Sequence, residues 1–174
     1  MITLPELAAW EDHIAGAVAR AGGAPEQRDR QLEQAGVYGE YPAIFAAYLA
    51  LATPESPDGV EALRRATFLA WYAGVEPACF TGISELPEAQ TRAVCERLDA
   101  QFRAGAPDAQ LAWMVPWYHS VFEYPFALYP GLASLRAFLA RADHRAWERA
   151  GVTLAELRGR GQMGRYWSSL LRAA

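Results

Sequence analysis

Residues that favour β-strands are scarce in this chain. Val, Ile and Thr together occupy only about a tenth of its 174 positions, and a large sheet needs many more of these β-branched side chains. Ala, Leu, Arg, Glu and Gln are abundant, and all of them favour the α-helix. The sequence therefore predicts an all-helical (all-α) protein, and its length suits a single domain over residues 1–174.

Proline, glycine and capping residues divide the chain into short helical segments. Thr3 and Glu6 have the spacing of a capping box, and Pro5 fits the first turn of the helix that they open. Thr153 and Glu156 repeat this spacing near the C-terminal end. Between these signals, apolar residues recur at helical intervals. The pattern predicts about seven to nine short antiparallel helices with no linker between domains.

One segment is apolar on almost every side, which is typical of a buried central helix. Pro116 lies inside this segment and predicts a kink or a break in the helix. The residues that we expect to be buried around it are Leu111, Met114, Val115, Tyr118 and Phe122.

A weak internal repeat leaves two architectures open. The pairs Trp71-Tyr72 and Trp117-Tyr118 are 46 residues apart, and each precedes a short motif that contains glutamate and proline. A similar motif covers residues 37–42. Repeats of about 40 to 47 residues are typical of HEAT-like helical hairpins. An irregular orthogonal bundle is the alternative, because such motifs also end ordinary helices.

His119 and Glu123 form the first candidate site. They are four residues apart, so on one continuous helix they would share a face. A histidine with carboxylates in aromatic surroundings could bind a metal or a small ligand, or act as a general acid–base pair. The alternative is a buried pair that only stabilises its helix. The residues that would complete this candidate binding site are Glu40, Glu76, Trp117 and Tyr124.

Motifs for metals, cofactors and nucleophilic catalysis are missing from the sequence. No histidine or cysteine pair has zinc-ligand spacing, and no glycine-rich phosphate loop or nucleophile elbow occurs. We therefore expect no metal and no cofactor, and enzymatic activity stays open. Cys79 and Cys95 are predicted to be small buried hydrophobic residues in a reducing cytoplasm.

Charge is distributed unevenly along the chain. Residues 1–135 carry 8 Arg against 17 Asp and Glu, and residues 136–174 carry 8 Arg against 3 acids. A glycine-broken loop near the C-terminal end contains Arg158, Arg160 and Arg165, which could contact an anion such as a nucleic-acid phosphate. The net charge of −4 disfavours nucleic-acid binding. We instead expect the basic end to dock on the acidic remainder, within one chain or across a homodimer.

Three functional hypotheses result. The leading one is a protein-interaction module or scaffold that presents an aromatic and acidic surface to a protein partner or to a second copy. The second is a small-ligand-binding or enzymatic helical bundle centred on His119, Glu123 and Glu76. The weakest is a nucleic-acid-associated protein that uses the three arginines. No apolar stretch is long enough to span a membrane and no signal peptide is evident, so a cytoplasmic location is expected.

Overall fold

The computed structural model describes residues 2–54, 56–105 and 107–173. These residues form ten α-helices and no strands, which confirms the all-helical prediction, and eight of the helices have seven residues or more. Short 3₁₀ turns occur at Val37–Gly39 and Ala146–Arg149. The helices are α1 Leu4–Arg20, α2 Pro25–Gln34, α3 Tyr41–Leu51, α4 Gly59–Val75, α5 Ala78–Thr81, α6 Glu88–Arg103, α7 Leu111–Val121, α8 Ala133–Leu139, α9 Leu154–Leu157 and α10 Gly161–Ala173.

Both predicted capping boxes are present. The Thr3 hydroxyl accepts from the Glu6 backbone N–H, and the Glu6 carboxylate accepts from the Thr3 N–H at 2.8 Å. Thr153 and Glu156 make the same reciprocal bonds. This second box opens only the four residues of α9, and the chain enters α10 at Gly161. The basic segment that was expected to be a loop therefore already includes the first turn of α10.

Helix α7 is the apolar segment, and it lies in the core as predicted. Pro116 sits inside one continuous helix and does not split it. The extended backbone of Phe122 ends the helix after Val121. The prediction of a buried Phe122 is wrong, since its side chain is 41% exposed. The other four residues predicted with it are buried, namely Leu111, Met114, Val115 and Tyr118.

Aromatic side chains fill the centre of the protein. Trp71 of α4 stacks on Tyr118 of α7, with ring centroids 4.4 Å apart. Trp167 of α10 donates its indole N–H to the Tyr118 hydroxyl at 2.8 Å. The two Trp-Tyr pairs of the weak repeat thus contribute to one shared core, to which α10 is fastened. Cys79 and Cys95 are both buried and unpaired.

The helices form a bundle in which the last helix returns to the first. Helix α10 packs on α1, while α4 contacts α3 and α6. In a solenoid each repeat contacts only its neighbours, so this return is the arrangement of a bundle. In the described part of the chain, no helix combines the length and the apolar character needed to cross a membrane.

Candidate functional site

A cleft of about 920 Å³ opens where the C-terminal end of α4 meets the loop that follows α7. The connection from Glu76 to Leu86 and the first turns of α6 line another side. Asp29 of α2 and Tyr38 of the first 3₁₀ turn complete the lining. The cleft therefore draws on segments that are far apart in the sequence.

Gly74 sets the shape of the wall between α4 and the loop after α7. A Cβ atom at this position would lie 2.8 Å from Phe122 Cε1 and 3.1 Å from Tyr124 Cδ1. Only glycine lets these two rings pack so closely on the helix backbone. The contact holds Phe122 and Tyr124 against the C-terminal end of α4.

The cleft is acidic. Four carboxylates line it, on Asp29, Glu76, Glu85 and Glu88, and no basic side chain occurs among the described residues of its lining. Glu76 follows the last turn of α4 and adds its charge to the negative end of that helix dipole. Glu88 lies in the first turn of α6, where the helix dipole stabilises a carboxylate. The lining thus carries a formal charge of −4 at neutral pH.

Three tyrosines give the cleft its aromatic character. The Tyr38 hydroxyl donates to the Asp29 carboxylate, and the Ser84 hydroxyl donates to the Tyr38 backbone carbonyl at 2.7 Å. Burial and the bond to Asp29 raise the pKa of Tyr38. Tyr129 is only 2% exposed, and its buried hydroxyl interacts with the side chain of Tyr124. Burial raises the pKa of Tyr129 to about 12, so this hydroxyl is neutral at physiological pH.

A cation already contacts one of these rings. The guanidinium of Arg92, on α6, lies over the Tyr129 ring with its central carbon 4.8 Å from the ring centroid. Arg92 is also 3.8 Å from the Glu88 carboxylate, and its side chain is 46% exposed. The face of the Tyr129 ring is thus covered by a basic side chain of the same protein.

The structure brings together only two of the six residues of the first candidate site. Glu76 and Tyr124 both line the cleft. Glu40 accepts a hydrogen bond from the Trp10 indole N–H at 2.5 Å, next to the start of α3. Trp117 donates its indole N–H to the Tyr166 hydroxyl at 2.8 Å, inside the aromatic core.

His119 and Glu123 do not share a helix face. Helix α7 ends between them, at Val121, so the continuous helix that would place both residues on one face is not formed. His119 is half-buried and Glu123 is exposed, and no hydrogen bond or ion pair joins them in the described structure. This arrangement provides no acid–base pair centred on His119.

The three arginines of the candidate anion site also separate. Arg160 is buried and pairs with Glu61 of α4, with its Nε 2.7 Å from Glu61 Oε1. Arg165 pairs with Asp12 of α1. Arg158 is exposed and makes no ion pair within the described residues. The basic C-terminal end thus docks on the acidic part of the same chain, as the charge distribution predicts.

Sequence reasoning missed most of the cleft. The residues that it did not single out are Asp29, Tyr38, Glu85, Glu88, Leu128 and Tyr129. One signal was available, because Glu85 and Glu88 flank Pro87 at the end of the connection between α4 and α6. Connecting segments carry binding residues more often than core helices do. No sequence signal relates Asp29 or Tyr129 to that connection.

Neither metal-ligand geometry nor similarity to known proteins indicates a reaction or a ligand for this cleft. In the described parts of the chain, no group of three His, Cys, Asp or Glu side chains is placed to hold a metal ion. The chain matches no protein-family model, and neither the curated proteins nor the solved structures contain a significant match.

Proposed function

We propose that this protein is an interaction module whose acidic, tyrosine-lined cleft binds a positively charged segment of a partner protein. The observation that supports this proposal is the composition of the cleft. Its lining contains four carboxylates and three tyrosines, and no basic residue occurs among the described residues that line it. Opposite charge on a partner would speed association and orient the complex.

Apolar residues at the cleft favour a protein segment over a small inorganic cation. Leu128 lines the cleft and is 54% exposed, and Phe122 lies against Gly74 with 41% of its side chain exposed. Exposed apolar residues beside a charged cleft fit a partner that carries both basic and apolar side chains. A cleft of about 920 Å³ also has room for several residues of such a segment.

The test uses a fluorescein-labelled peptide of alternating arginine and leucine residues, with binding followed by fluorescence anisotropy. Saturable binding that weakens with added salt is expected, because the attraction is between exposed charges. The same peptide with glutamate in place of each arginine is expected not to bind.

Matched variants locate the binding surface. Replacing Glu76 and Glu88 together by Gln should weaken binding roughly fivefold, since each exposed pair contributes about 0–1 kcal/mol. Replacing Glu26 and Glu96 by Gln removes the same charge from exposed positions outside the cleft lining, with Glu26 in a first helical turn as Glu88 is. Equal weakening by both double variants, or no binding at all, would contradict the proposal.

A further inference from the structure

We propose that a basic groove near the C-terminal end of the chain binds a phosphate monoester group. The groove has a volume of about 420 Å³ and lies between α10, the turn before it and Asp12 of α1. Three arginines line it, namely Arg158, Arg165 and Arg172, and Asp12 is the one carboxylate among the described residues of its lining. The groove shares no described residue with the acidic cleft, so the inference goes beyond the proposed function.

The positive charge of the groove remains after the basic end has docked within the chain. Residues 136–174 contain eight arginines, of which two, Arg158 and Arg172, are exposed and form no hydrogen bond or ion pair with other described residues. Both of them line this groove. The other six bond to a carboxylate or a backbone carbonyl of the described chain, and they are Arg136, Arg141, Arg145, Arg149, Arg160 and Arg165. The unpaired positive charge of the basic end is therefore concentrated at one place.

Helix α10 presents two of the three arginines on one face. Arg165, Ser168 and Arg172 are spaced three and four residues apart, which places them on the same side of the helix, and all three line the groove. Arg165 and Arg172 are about two helical turns apart, or about 10 Å along the axis, so both long side chains can reach a group bound near Ser168. The Ser168 hydroxyl is a further hydrogen-bond donor at this point.

The turn before α10 supplies the third arginine. Gly164 lets this turn pack directly on the helix, because a Cβ atom at Gly164 would lie 2.2 Å from the Leu157 carbonyl oxygen. Gly159 follows Arg158 with a φ of +69°, a conformation that favours glycine. Arg165 is held in place by an ion pair with α1, while 38% of its side chain stays exposed. A ligand in the groove can therefore contact all three guanidinium groups.

Charge and geometry favour a phosphate monoester over a carboxylate or a nucleic-acid backbone. Three arginines and one aspartate give the lining a formal charge of +2, and a phosphate monoester carries about −1.5 to −2 at neutral pH. Its three terminal oxygens can each accept from a different guanidinium group, whereas a carboxylate offers two oxygens. A nucleic-acid backbone needs basic side chains along an extended surface. This groove is confined to about 420 Å³, and the protein has a net charge of −4.

The test uses isothermal titration calorimetry with three peptides of glycine and serine that differ at one central position, which is serine, phosphoserine or aspartate. We expect the phosphoserine peptide to bind about tenfold more tightly than the aspartate peptide, because it carries more charge and one more acceptor oxygen. The serine peptide should not bind. Inorganic phosphate should displace the phosphoserine peptide when sodium chloride keeps the ionic strength constant. No binding of the phosphoserine peptide, equal binding of the aspartate peptide, or no displacement by phosphate would overturn the proposal.

A single phosphoserine with acetylated and amidated ends distinguishes two sources of the phosphate group. Tighter binding of the whole phosphoserine peptide would assign the group to a phosphorylated protein segment. Equal binding of the single residue would assign it to a small phosphorylated molecule. Both results support the phosphate site.

Arg158→Gln combined with Arg172→Gln locates the binding site. This double variant should weaken binding of the phosphoserine peptide by about tenfold or more, as expected when hydrogen bonds between charged groups are lost. Arg20→Gln combined with Arg30→Gln is the matched control, because both arginines are exposed, form no ion pair among the described residues and lie outside the groove. The control removes the same charge and should leave the affinity nearly unchanged. Circular dichroism checks that both variants keep their helices, and equal weakening by the two double variants would overturn the proposal.

Discussion

Glu11 is one of the most deeply buried ionisable residues in the described part of the chain. It is 1% exposed, and its carboxylate accepts from the Tyr48 hydroxyl at 2.5 Å and from the Gln162 backbone N–H at 2.8 Å. These bonds favour the charged form, but burial outweighs them and raises the pKa of Glu11. Gly161 makes the approach possible, because a Cβ there would lie 2.4 Å from a Glu11 oxygen.

The raised pKa of Glu11 predicts how stability depends on pH. The folded protein holds this proton more tightly than the unfolded chain, whose carboxyl titrates near its ordinary value of 4.5. The stabilising contribution is therefore complete below that value, and it is lost as the pH rises through the higher folded pKa. Glu11→Gln should remove this contribution, so that unfolding free energies measured in urea from about pH 4 to about pH 8 decline less steeply than in the wild type.

Glu6 provides a contrast of opposite sign. Its pKa is lowered by the hydrogen bonds to Thr3, so its contribution is lost as the pH falls. Glu6→Gln should therefore alter only the acid side of the profile. A Glu11→Gln profile parallel to that of the wild type would show that Glu11 is not coupled to folding in this way.

At the scale of the helices, local sequence signals predicted where helices begin better than where they end. They did not predict caps that come from residues far away in the sequence. The capping boxes at Thr3 and Thr153 are sequence-local, and both are present. The start of α10 at Gly161 was not predictable, because its first turn is capped by Glu11, which accepts from the N–H of Gln162, 151 residues away in the sequence. Phe122, where α7 ends, packs against Gly74, which is also distant in sequence.

The early end of α7 changes the expected cost of truncating Phe122. This side chain is 41% exposed, so Phe122→Ala should lower the free energy of unfolding by only about 1 kcal/mol. Phe126, four residues later, is fully buried, and Phe126→Ala should cost about 3–5 kcal/mol. Urea unfolding of both variants gives the comparison. Similar losses of unfolding free energy in the two variants would contradict this prediction and show that Phe122 is packed as tightly as Phe126.

At the scale of the whole molecule, the fold class was readable from the sequence and the cleft was not. Composition and helical periodicity predict a helical protein because they act residue by residue and turn by turn. The cleft joins Asp29, the connection after α4 and Tyr129, which no local pattern relates. Of the six residues first proposed as a site, only Glu76 and Tyr124 meet there.

The acidic and the basic parts of the chain form ion pairs with each other within the molecule, chiefly at Glu61. Arg64, Arg65 and Arg160 all pair with this carboxylate. Burial opposes the charge on Glu61, but the hydrogen bonds and charges of Arg160 and Arg65 outweigh it, so the pKa of Glu61 is lowered. Arg160 thereby ties the start of α10 to α4, and Arg165 ties α10 to Asp12 of α1.

The first two arginines of the basic segment, Arg158 and Arg160, should therefore differ strongly when replaced. Arg160 is 7% exposed, and Arg160→Gln should lower the free energy of unfolding by about 1.5–3 kcal/mol, the contribution of hydrogen bonds to a charged group. The loss stays within that range because Arg64 and Arg65 still neutralise Glu61. Arg158 is exposed and unpaired among the described residues, so Arg158→Gln removes the same charge at a cost below about 0.5 kcal/mol. Urea unfolding at low and high salt measures both, and equal losses would mean that the C-terminal end is held by its apolar contacts alone.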